Sequence, residues 1–107
     1  MPDPQAVIDE ARRLFNARLY WHVHEVLEEL WKRREGREKD LLQGLILVAA
    51  ALVHAQKKEM QAVWSMLARA LPKLEHPPDL YYGWDVRKFR SQLTRILARK
   101  KLRFPTV

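Results

Sequence analysis

The chain has no cysteine in its 107 residues, which excludes disulfides and thiolate metal sites and fits a reducing cytoplasm. It has only 3 glycines, too few for a glycine-rich phosphate loop. Hydroxyl nucleophiles are equally scarce. Ser65, Ser91, Thr94 and Thr106 are the whole set, and none stands in a nucleophile motif, so a Ser-His-Asp triad has no support. No apolar run is long enough to cross a bilayer. The longest uncharged stretch, Leu41 to Gln56, includes Gln43 and His54 and falls short of the ~20 apolar residues a span needs. The opening residues, Met1 to Pro4, carry neither the basic nor the apolar region of a leader. A cytoplasmic protein without membrane contact is expected.

Hydrophobic residues make up 48% of the chain, enough for one core. The length suits a single helical domain, 1–107, with a basic tail expected to fray from about residue 100. Charge is unevenly spread. Residues 85–107 hold eight Lys and Arg against Asp85 alone, and this accounts for the whole net charge of +7.

Strand-like alternation is absent, whereas helical spacing recurs. The pattern predicts an all-α bundle of about five helices around a central apolar helix over about 38–58. Asp3 and Pro4 are suited to cap and open the first helix, with Val7, Ile8, Ala11, Leu14 and Phe15 on its apolar face and Asn16 at its end. The second runs from Tyr20 to about Arg34, with Gly36 as the left-handed residue that ends it. The third is apolar on every side, so it is expected to be surrounded. Gly44, Ala51 and Ala55 give it a strip where a neighbour can come close. The fourth runs towards Leu74, and Pro72 is expected to kink or shorten it. Leu80 to Trp84 reads as an aromatic loop, and Asp85 caps a fifth helix.

The sharpest anomaly lies on helices two and three. Tyr20, His24, Glu28, Gln43 and His54 are polar residues at positions the pattern marks as buried or nearly so. Buried polar groups must find partners or cost a few kcal/mol each. One reading is a hydrogen-bonded cluster across the hairpin with a mainly structural role. Antiparallel register favours two pairs, Tyr20 with His54 and Glu28 with Gln43. The other reading is a divalent metal site. His24 and Glu28, spaced i and i+4, could share an ion with His54, and Glu25 would be the general base acting on metal-bound water. Register places His54 about 7 Å along the axis from the level of His24, at ~1.5 Å per residue, which favours the two pairs.

The basic end has two readings as well. Arg87, Lys88, Arg90, Arg95, Arg99, Lys100 and Lys101 could contact nucleic acid. Alternatively they form a solvated face whose last cations complement the helix dipole. No exposed aromatics interleave with them, which favours the second. Trp21, Tyr81, Tyr82 and Trp84 are the aromatics expected at the surface, where they would serve an interaction such as self-association into a homo-oligomer.

Phe15-Asn16, Tyr20, His24-Glu25-Val26-Leu27-Glu28 and Trp31, followed by Gln43-Gly44 and the run from Ala49 to His54, resemble domain-of-unknown-function family 309 (DUF309). The likeness covers about residues 9–75 and continues weakly through Gly83 to Val86. It implies an all-α fold, and a cataloguing as predicted metal-dependent hydrolases. The family's signature falls here on Tyr20, His24, Glu25, Glu28, Trp31, Gln43, Gly44 and His54. Leu47 stands where relatives often carry a second glutamine, so any polar network is smaller in this chain.

Overall fold

The computed structural model describes residues 3–76 and 78–107. Five helices follow in order: α1 (Pro4–Asn16), α2 (Tyr20–Trp31), α3 (Gly36–Gln56), α4 (Met60–Leu74) and α5 (Val86–Arg99). Between the last two lies a small antiparallel ribbon, β1 (Leu80–Tyr81) with β2 (Trp84–Asp85), in which Tyr81 faces Trp84 and Leu80 faces Asp85. Each helix packs on the next in sequence, and the α3–α4 and α2–α3 contacts are the most extensive.

The helix starts follow capping chemistry. Asp3 accepts a hydrogen bond from the Gln5 amide at 3.1 Å, with Pro4 in the first turn where no N–H is needed. Asp85 accepts one from the Lys88 amide at 2.9 Å and starts α5. The ends are less usual. Arg18, Lys58 and Lys100 hold positive φ just past α1, α3 and α5, a role that glycine usually fills. Gly36 is left-handed too, but α2 stops earlier, at Trp31, and Gly36 opens α3. Pro72 lies inside α4, which runs two residues beyond it to Leu74.

α3 is central, as its all-round apolarity requires. Leu41, Leu42, Leu45, Val48, Ala49, Ala51, Leu52 and Ala55 are all buried. Gly44 is where α4 comes closest. A Cβ at that position would lie 2.9 Å from Leu74 Cδ2 and 3.0 Å from Lys73 Cβ. Phe15 of α1 is the hub of the aromatic part of the core. Its ring meets Tyr20, Trp84 and Phe89 edge-on at centroid distances of 5.2, 5.6 and 5.4 Å.

The segment expected to be an aromatic loop is a hairpin. Tyr82 and Gly83 both take positive φ, as a tight two-residue turn requires. The pleat turns Tyr81 and Trp84 inward, so both are buried, contrary to the expected exposure. Trp21 and Tyr82 are exposed, as expected, with Leu19 and Leu80 beside them in sequence.

The tail read as frayed is instead laid against the body. Lys100 turns the chain out of α5, and Phe104 stacks on Tyr20 with centroids 5.9 Å apart. The Asn16 side chain donates to the Val107 carbonyl at 2.8 Å and accepts from its amide at 2.7 Å. Three apolar side chains, Leu102, Phe104 and Val107, pack on the core, which offsets the entropy of ordering the segment.

Candidate functional site

The polar residues of α2 and α3 do not form one cluster. Among the described residues no polar or charged side chain other than Tyr20 and Tyr81 is buried in the core. His24, Glu28, Gln43 and His54 are half-buried, at its rim. The physical reason lies in coverage. α2 is packed mainly by α1 and α3, so the edges of its apolar stripe reach solvent.

The two histidines each lie beside a local carboxylate. His24 Nδ1 lies 3.5 Å from Glu28 Oε2, one turn along the same helix, and its ring stacks on exposed Trp21 at 5.3 Å. His54 Nδ1 lies 3.0 Å from Glu59 Oε1. The backbone explains that pair. Lys58 takes the left-handed conformation, the Glu59 amide donates back to the His54 carbonyl at 3.0 Å, and the Glu59 carboxylate returns to the imidazole. Gln43 makes no side-chain hydrogen bond with the described residues, and Glu25 is exposed.

Tyr20 is the one member inside the core. Its hydroxyl is buried without a partner among the described residues, and burial pushes its pKa up to about 12. The expected pairs, Tyr20 with His54 and Glu28 with Gln43, are therefore not formed. Tyr81 supplies the satisfied contrast. Its hydroxyl donates to Glu38 Oε2 at 2.7 Å, and burial, reinforced by that carboxylate, raises its pKa further still.

A three-ligand metal centre does not fit this arrangement. His24 and Glu28 are neighbours, but His54 is engaged by Glu59, and no group of three or more potential His, Asp or Glu ligands occurs among the described residues.

A different site takes shape at the other end of the chain. α5 and the returning tail enclose a groove of about 660 Å³. Arg95 and Arg99 line it from the helix, and Lys101 and Arg103 from the tail. Ile96, Leu102, Phe104 and Pro105 form its apolar surface, and no carboxylate lines it. None of the four cations makes an ion pair among the described residues. The buried Oε1 of Gln92, also in the lining, has no partner among the described residues.

Three of the seven basic residues singled out in the sequence therefore meet here: Arg95, Arg99 and Lys101. The others are elsewhere. Arg90 is structural, donating to the Leu74 carbonyl at 2.7 Å and lying 3.9 Å from Asp79. Lys100 covers the Trp64 ring at 5.3 Å. Arg87 and Lys88 are exposed on α5. Gln92 and Arg103 were not among the seven. Arg103 was legible in principle, because Leu102-Arg103-Phe104 alternates as an extended strip with one side packed.

Fold and composition define an all-α helical protein, and no helix among the described residues is long and apolar enough to cross a membrane. The chain belongs to the family described as Domain of unknown function (DUF309), whose profile matches residues 8–66. It is similar to a conserved hypothetical protein of Thermus thermophilus of known crystal structure. The two are 36% identical with a TM-score of 0.74, over 91% of this chain and 97% of that one. It is also 28% identical over 100 residues to an uncharacterised protein of Aquifex aeolicus (strain VF5), covering 92% of this chain. The chain spans 30% of that relative's length.

Proposed function

We propose that this protein is a binding domain for an anionic partner, with its site in the groove between α5 and the tail. One observation carries this reading: Arg95, Arg99, Lys101 and Arg103 line one groove with no carboxylate among them and no ion pair to neutralise them. Gathering like charges costs self-repulsion, and an anion relieves it. Three of the four are arginines, whose planar forks suit phosphate and carboxylate oxygens. The residues of the family signature have mainly structural roles here. Tyr20 fills the core, and His24 and His54 hold carboxylates near the helix ends.

Calorimetric titration with tripolyphosphate at low salt tests the reading. Binding to the wild type and its loss in the Arg95→Ala/Arg99→Ala variant are expected. No heat with the wild type, or equal binding by both, would overturn it.

A second surface has its own support. Leu19 and Trp21 are 45% and 59% exposed at the α1–α2 corner, an apolar pair suited to self-association. Sedimentation of the wild type against Trp21→Ser checks it. An oligomer that dissociates in the variant is expected, and a monomer in both cases would rule it out.

A further inference from the structure

We infer that the anion for which the groove is built is the phosphate backbone of duplex nucleic acid. This rests on the reading above and narrows it.

The charge is laid out as a row. Lys88, Arg95 and Arg99 are spaced i, i+7 and i+11, so at about 100° per residue they share one side of α5. They cover about 16 Å of helix at ~1.5 Å per residue. Lys101 and Arg103 carry the track onto the tail. A single phosphate or a short carboxylate ligand would engage one end of such a row. A linear polyanion can engage all of it, and about 16 Å spans roughly five phosphates of one strand at ~3.4 Å along the duplex axis.

Single strands are held by stacking bases on free aromatic rings. The one aromatic ring in the groove, Phe104, is already stacked on Tyr20 and covered by the Arg18 guanidinium at 4.5 Å. No base platform is left there, whereas the cations remain unpaired. Backbone contact without base stacking favours the duplex.

Fluorescence anisotropy with labelled mixed-sequence 20-base-pair DNA, on the full chain between 50 and 200 mM salt, tests the inference. Each neutralised phosphate contributes about −0.9 to the slope of log K on log salt. Three to five contacts predict a slope of about −2.7 to −4.5, or a loss of about 40- to 500-fold over that range. Arg95→Ala/Arg99→Ala is expected to lower the slope by about 2 and affinity at 50 mM salt at least tenfold. Lys32→Ala, at the far end of α2, is expected to change neither. Both variants alter exposed side chains, and circular dichroism confirms that they fold.

Duplex binding that the double variant leaves intact would overturn the inference. So would tenfold tighter binding of the single strand. Failure to bind duplex, with tripolyphosphate still bound through Arg95 and Arg99, would overturn this inference alone. Failure with both ligands would overturn it together with the anion-binding reading.

Discussion

Phe104 lies nearly parallel to Tyr20, with an interplanar angle of 14°, and the two rings join the returning tail to the start of α2. The same Tyr20 carries a hydroxyl that is buried and has no partner among the described residues. A core position is thus occupied by a side chain whose ring is well packed and whose oxygen is not satisfied. An unsatisfied buried polar group costs about 1–3 kcal/mol. Tyr20→Phe keeps the ring and removes the oxygen, so it is expected to stabilise the protein by about 1 kcal/mol, raising Tm by roughly 4 °C. Differential scanning calorimetry measures it. A comparable loss would mean that the hydroxyl is bonded.

The same burial sets the alkaline limit. Tyr20 and Tyr81 both have pKa values raised above the usual 10, Tyr20 to about 12. The unfolded chain ionises first, so each tyrosine's contribution is complete below pH 10 and is lost as pH rises through the folded pKa. Stability should fall above pH 10, by up to about 1.4 kcal/mol per pH unit for each residue. Urea unfolding at pH 9, 10 and 11 would show the fall, and Tyr20→Phe should make it shallower. A stability flat to pH 11 would contradict the buried placement of both rings.

Gly44 is the contact point of the two most closely packed helices. Alanine is the better helix former by about 1 kcal/mol, but overpacking a core costs about 1–3. The Cβ would meet Lys73 Cβ, which is fixed to the α4 backbone, at 3.0 Å. Gly44→Ala is therefore expected to destabilise by about 1 kcal/mol, read from the urea midpoint. A gain would show that α4 shifts freely.

The Phe104 ring and the Asn16 side chain are two of the contacts that hold the tail. Phe104→Ala removes the stack on Tyr20 and the Arg18 contact, and Asn16→Ala removes both hydrogen bonds to Val107. Either variant should speed tryptic cleavage after Lys101 and Arg103 several-fold while leaving the helical signal unchanged. Equal cleavage rates would mean that the tail is not held by these contacts.

Much of the fold was legible because its signals are local. Asp3-Pro4 and Asp85 mark helix starts through capping chemistry, and the all-round apolarity of α3 marks it as surrounded. What was not legible depends on neighbours. The wheel placed His24 and Glu28 in or beside a buried stripe, but α2 has too few covering helices to bury its edges. Glu59 became the partner of His54 through the left-handed backbone at Lys58, which no residue pattern announces. His54 thus makes a local contact at the rim in place of the expected cross-hairpin pair. The groove was legible only in half. The cations of α5 are plain in the sequence, but it is the tail's return that sets Lys101 and Arg103 opposite them.

The most direct test of the account is to map an anion on the protein. Tripolyphosphate titrated into isotopically labelled protein, followed through backbone amides and arginine Nε–H signals, would locate the site residue by residue. Shifts are predicted at Arg95, Arg99, Lys101, Arg103 and the flanking amides of α5 and the tail. Shifts centred on His24, Glu28 and His54, or none at millimolar anion, would contradict it.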